Sequence, residues 1–332
     1  MENGIDRRGF LRNAAAAAPL AAFSREEEVL LAWMSRRPAQ AEPAAAVKGM
    51  PRGRIGKVEI SRLIVGGNLT SGNAHSRDLL YLSPLLRRYF TDDKIFETWV
   101  LCEECGINTA ITRLDDQVLR LIRKYWKEKG GKIQWMVQIK PPVLSLENFK
   151  EDTRKAVDNG VCGAYVQGSL ADEMVRDGRT GLIGEALQFI KDSGVIAGIG
   201  AHCLEVPVAC EKAGFKPDFY MKTLHGSNYW SFNPRDEKWE PFHPISRRSG
   251  DNVWCINPEE TIEFMGKVDR PWIAFKVLAA GAIPPQEGFK FAFENGADFA
   301  CAGIFDFQVK EDALVAAGVL SGKLDRRRPW RA

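Results

Sequence analysis

GLIGEALQFIKDSGVIAGIGAH, residues 181 to 202, contains the alternation from which the fold is read. A helical pattern over 181 to 194 stops at a glycine, and the short apolar run VIAGIGAH, 195 to 202, follows as a buried strand. The same unit recurs in both directions. Strands are expected at 62–68, 108–112, 133–140, 163–168, 219–225, 272–278 and 299–305. Helices are expected near 79–105, 115–130, 146–159, 204–214, 257–268 and 284–296, with one more closing the chain. EKGGK, DNGV, DSGV, KAGF and ENGAD each put glycine at a helix end, where a left-handed residue is needed. Eight strands with eight helices is the count of a (β/α)8 TIM barrel, and an open doubly wound sheet would have fewer units.

Composition agrees with one large domain. The chain has 332 residues, 45% of them hydrophobic, and a formal net charge of +3 spread along its length, so no nucleic-acid partner is expected. No segment after residue 50 is long and apolar enough for a stable membrane span. Residues 1 to 45 read differently. Arg7-Arg8-Gly9-Phe10-Leu11-Arg12 before the alanine-rich run 14–23 resembles a twin-arginine export signal, with Ala39-Gln40-Ala41 as a small-x-small cleavage pattern. An exported protein, periplasmic or extracellular, with the twin-arginine machinery as partner is the expectation, and the barrel then spans 50–325. The seven cysteines include one close pair, Cys102 and Cys105, which reads more readily as buried thiols than as a redox or zinc motif.

Four segments resemble the aldo-keto reductases. RIGKVEISRLIVGGN is similar to their opening hairpin and first barrel strand, ECGINTAITR to their second strand, and VIAGIGAH to their glycine-rich fifth strand. WIAFKVLAAGAIPPQEGFKFAFENGADFACAGI is similar to their last two units. The resemblance covers about residues 50 to 320 and implies a barrel with an N-terminal β-hairpin. In that family an aspartate, a tyrosine, a lysine and a histidine carry carbonyl reduction. Here Ile111 stands in place of the aspartate, Asp116 near the place of the tyrosine, Lys140 matches the lysine, and Gln167 replaces the histidine. The serine and arginine pattern that binds the cofactor phosphate after the eighth strand is not visible in GIFDFQVKED, so NADPH is not expected to be held in the family's manner.

Barrel enzymes carry their working groups at the C-terminal strand ends. Those ends here are Asn68, Thr112 with Arg113, Lys140, Gln167, His202, His225, Lys276 and Asp306. Lys140, His202 and His225 are the candidates for acid/base catalysis, and a Schiff-base role is open to Lys140 or Lys276. Asn68, Arg113, Gln167, Tyr229, Trp230, Trp239 and Lys276 are the candidate substrate contacts. No metal motif is present, although His202, His225 and Asp306 offer an alternative set for a divalent ion. The bland alternative is that each histidine caps a strand and bonds a loop carbonyl. The stretch 226–256 is a long rim loop whose aromatic and amide residues suit a sugar ring.

The sequence therefore points to an enzyme acting on a small polar carbonyl or carbohydrate, a lyase, isomerase or oxidoreductase. Two alternatives stand beside it. One is an NADPH-dependent oxidoreductase with its proton donor supplied by Tyr229 or His225. The other is a non-catalytic ligand- or partner-binding barrel.

Overall fold

The protein is described by a computed structural model over residues 49–73, 79, 81–230, 232 and 255–332. The twin-arginine segment, most of the 226–256 loop with Trp239, and His75 and Arg77 lie outside these residues. A hairpin of β1 (Arg52–Ile55) and β2 (Val58–Ser61) precedes the barrel. Eight parallel strands then close on themselves: β3 (Leu63–Gly66), β4 (Thr109–Arg113), β5 (Gln134–Ile139), β6 (Gly163–Val166), β7 (Ile196–Ala201), β8 (Phe219–Thr223), β9 (Trp272–Phe275) and β10 (Phe299–Ala302). β10 pairs with both β9 and β3, which completes the ring expected from the repeating unit.

Ten α-helices lie among the described residues. They are α1 (Leu82–Tyr89), α2 (Asp92–Glu104), α3 (Asp116–Glu128), α4 (Leu146–Val157), α5 (Gly168–Arg176), α6 (Thr180–Asp192), α7 (Glu205–Lys212), α8 (Pro258–Lys267), α9 (Pro285–Glu294) and α10 (Val309–Ser321). Two differences from the sequence expectation stand out. The helix expected over 79–105 is two helices, because Thr91 is extended and its hydroxyl accepts from the Lys94 N–H at 3.3 Å, opening a new helix with Asp92 and Asp93 in its first turn. The glycine closing GAYVQG is not a strand end. Gln167 caps α5 by accepting from the Leu170 N–H at 3.1 Å, and Gly168 begins the helix.

Alternation along the strands sets which residues face the barrel axis. Ile64, Ile111, Met136, Tyr165, Phe219, Met221, Ile273 and Phe299 fill the interior, and Ile55, Val58 and Ile60 of the hairpin pack against the same cluster. Residues of opposite parity, such as Trp135, Tyr220 and Trp272, pack under the helices. The fifth barrel strand, IAGIGA, needs its glycines for close approach. A Cβ on Gly198 would lie 2.4 Å from the Phe219 ring, and one on Gly200 would lie 2.7 Å from the Gly168 nitrogen at the start of α5. That close approach brings α5 over the C-terminal end of β7.

At the opposite end, Asp298 is fully buried among arginines. It accepts from the Trp272 N–H at 2.9 Å and the Arg331 N–H at 2.7 Å, and pairs with the Arg328 guanidinium at 2.5 Å. The Trp330 ring lies between Arg62 and Arg326, whose guanidinium carbons are 4.0 and 3.4 Å from its centroid. The terminal residues thus fasten the N-terminal face of the barrel, away from the C-terminal strand ends.

Candidate functional site

Carrying the inward alternation to the C-terminal strand ends and just beyond leads to the mouth. Ile111 is followed by Arg113, Tyr165 by Gln167, Gly200 by His202, and Met221 by Thr223 and then His225. His202 is the most elaborately held of these. Its ring Nδ1 lies 3.0 Å from Asp172 Oδ2, its backbone N–H donates to the same carboxylate at 3.2 Å, and the Cys203 N–H donates to Asp172 Oδ1 at 2.9 Å. Asp172 sits on α5, so the helix that Gly200 admits is the one that delivers the carboxylate. The His202 and Asp172 side chains are 10% and 2% exposed.

Burial pushes the His202 pKa below its ordinary value, and the Asp172 hydrogen bond and charge oppose that push. The lowered pKa favours the neutral imidazole, and Nδ1 is the ring nitrogen that faces Asp172. The Phe275 ring packs edge-on against it at 5.2 Å. Lys276, the next residue, has φ of 60°, a conformation rare outside glycine and characteristic of functional positions. Burial lowers its pKa to about 7, so it is shared between amine and ammonium at neutral pH. Its charge acts on both His202 and His225.

His225 stands two residues beyond β8 and is fully buried. Its Nδ1–H donates to the Gly226 carbonyl at 2.9 Å, and its Nε2 accepts from the Cys255 N–H at 2.8 Å. Burial lowers its pKa to about 4. Both ring nitrogens therefore serve the backbone at the two ends of the rim loop, and the Tyr229 ring packs edge-on against the imidazole at 5.8 Å. This is the strand-capping arrangement, and it differs from that of His202, whose ring meets a carboxylate.

The remaining candidates are dispersed. Lys140 follows β5 and is exposed, and Asn68 is exposed beyond β3. Gln167 is occupied in capping α5. Arg113 donates from Nε to Asp115 at 2.9 Å, and Trp230 is 56% exposed. Asp306 accepts from the Tyr89 hydroxyl at 2.6 Å and Lys94 Nζ at 3.0 Å, remote in bonding from either histidine. No group of three His, Cys, Asp or Glu able to hold a metal occurs among the described residues, and all seven cysteines are free thiols.

Two neighbours of His202 escape the sequence reading. Asp172 lies thirty residues before His202, and nothing in ADEM marks it apart from being an acid on the buried face of a helix. Lys222 is a lysine inside the apolar run FYMKT, which is a visible signal. It is 1% exposed, and its Nζ donates to Thr223 Oγ1 at 2.8 Å and the Thr223 carbonyl at 3.1 Å, with no carboxylate partner among the described residues. Its charge also acts on His202 and Cys203.

The nicotinamide cofactor implied by the sequence resemblance carries phosphates, which in (β/α)8 barrels seat at the loops after the last two strands and at a helix N-terminus there. In this chain the stretch 303–312 holds Asp306, Glu311 and Asp312 against a single cation, Lys310. Asp312 is buried in the first turn of α10, where burial and Glu311 raise its pKa to about 7. These residues do not fit a phosphate at that point.

No family model and no curated protein matches the sequence. Solved structures do match the fold. A Pseudomonas aeruginosa protein assigned to the aldo-keto reductases superposes with a TM-score of 0.57 at 14% identity, covering 83% of this chain and 99% of its own. An aldo-keto reductase from Bacillus halodurans, in its holo form, gives a TM-score of 0.51 at 13% identity over 80% and 90% of the two chains. The closed parallel ring, its alternating helices and these neighbours define the fold as an aldo-keto-reductase-like (β/α)8 TIM barrel.

Proposed function

We propose that the protein is an enzyme that moves a proton next to the carbonyl of a small polar molecule or sugar, in the manner of an isomerase or lyase. The observation that carries this reading is the buried Asp172–His202 pair at the barrel mouth. Asp172 fixes the imidazole with Nε2 as the base, which removes a proton from the carbon beside the carbonyl. Lys276, near half-protonated at pH 7, donates to the oxygen that becomes negative, or holds it as an ammonium. The Phe275 ring packed on His202 excludes water from the imidazole and sharpens both interactions. In the same reading the Arg7-Arg8 segment sends the folded chain out of the cytoplasm, supported by the order of its residues.

Incubation of the protein in D2O with a panel of aldoses, ketoses and 2-oxo acids tests the proposal, with proton NMR following exchange at the carbon beside the carbonyl. Exchange with at least one substrate, abolished in His202→Gln, is the expected result. Exchange that persists undiminished in His202→Gln would refute it. Absence of exchange together with saturable NADPH binding would replace it with the oxidoreductase reading.

A further inference from the structure

Four strands round the ring from β7, the loop after β3 encloses a cleft of about 330 Å3 on the catalytic face. Thr70, Ser71 and Asn73 form one wall, Arg87 and Phe90 from the end of α1 a second, and Arg113 at the end of β4 the floor. The loop is held in place by backbone bonds to β4 and within itself. The Gly67 N–H donates to the Ile111 carbonyl at 2.8 Å, the Ser71 N–H to Gly67 at 3.0 Å, and the Asn73 N–H to Asn68 at 2.8 Å. Gly72, with φ of +66°, lies directly on the Arg87 stem, where a Cβ would come within 2.3 Å of Cγ. The loop therefore requires glycine there, and its packing sets the arginine at the cleft wall.

Arg113 is only partly neutralised. It gives its Nε and Nη2 to Asp115, which leaves the Nη1 donors of the guanidinium. Arg87 is exposed at the end of α1 and lines the cleft. The Ser71 hydroxyl and the Asn73 amide add neutral donors, whereas the Thr70 hydroxyl donates to the Gly67 carbonyl at 2.9 Å. Phe90 supplies an apolar surface, stacked on Phe305 at 5.3 Å, which stacks in turn on the exposed Phe307 at 5.2 Å. A volume at the small end of ligand sites, two guanidiniums and an aromatic wall match one chemistry: an oxyanion attached to a compact, sugar-sized body.

We infer that this cleft binds the carboxylate or phosphate of an acidic sugar-sized substrate, so that the protein acts on charged rather than neutral carbonyl compounds. The assignment rests on the proposed chemistry at His202 for the second half of that statement and on the cleft alone for the first. Titration calorimetry of the full chain with D-glucuronate, D-glucose 6-phosphate and D-glucose tests it. The expected result is saturable binding of at least one acidic probe, at least ten-fold tighter than glucose, with Arg87→Gln and Arg113→Gln each weakening it about ten-fold. Arg87 is exposed, so its replacement leaves the fold intact. Tighter glucuronate binding assigns the carboxylate as the group held, and tighter glucose 6-phosphate binding assigns the phosphate. Acidic probes no tighter than glucose, or affinities unchanged in Arg87→Gln, would overturn the subsite. Acid binding that survives in a protein without proton exchange would retire the His202 chemistry and keep the subsite. Exchange on neutral sugars without acid binding would do the reverse.

Discussion

His225 couples the stability of the barrel mouth to pH in a way that can be worked through. Its imidazole is fully buried and neutral, bonded between Gly226 and Cys255, with a pKa of about 4 against an unfolded value near 6.5. A base whose pKa is depressed by folding binds fewer protons in the native state. Its contribution to stability is complete above pH 6.5 and is lost as the pH falls toward 4. Between pH 7.5 and pH 5 that loss comes to about 2 kcal/mol for this one group. Other groups titrate in the same range. His202 adds a loss of the same sign, whereas Asp312, raised to about 7, works oppositely, because its carboxyl becomes more readily accommodated as the pH falls. Comparing wild type with His225→Gln at both pH values isolates the single contribution. Urea unfolding followed by tryptophan fluorescence provides the measurement. The variant is less stable at pH 7.5 by about 1 kcal/mol for an imperfectly replaced hydrogen bond, and this deficit shrinks or reverses at pH 5. A wild-type-minus-variant difference that is the same within 0.5 kcal/mol, roughly the error of such measurements, at both pH values would refute the buried neutral assignment.

Asp172→Asn removes the charge and acceptor that raise the His202 pKa, so that pKa falls further, as an NMR titration of the imidazole would register; an unchanged value would dissociate the two residues. Asp298→Asn leaves Arg62, Arg326 and Arg328 around a neutral amide and costs about 3–5 kcal/mol, roughly 6–12 °C in Tm by calorimetry. Gly200→Ala presses a methyl onto the Gly168 nitrogen and the Val166 carbonyl, neither of which can rotate away. It is expected to destabilise by about 1–3 kcal/mol in chemical unfolding and to disturb the His202 resonance by displacing α5.

The barrel was legible because its signals are local. Helix periodicity, an apolar run and a glycine stop are each written within twenty residues, and their eightfold repetition leaves few ways to bury so many strands. The positions of the strand-end residues were legible to the same degree, since His202, Arg113 and Lys276 follow directly from where the apolar runs end. What those residues do was not. His202 and His225 look alike in sequence, yet one meets a carboxylate from α5 and the other two backbone groups of the rim loop. The difference arises only when β7 closes against β6 and Gly200 admits α5, a contact between residues thirty apart. Asp298 tells the same story: an acid beside an apolar strand is visible in the chain, but its partners Trp272, Arg328 and Arg331 are chosen by closure of the ring. The cleft at Arg87 depends on Gly72 lying across an arginine stem fifteen residues later. Periodicity reports which face of an element is apolar and fixes the architecture, whereas a site is a meeting of several elements, and only the tertiary structure decides which side chains meet.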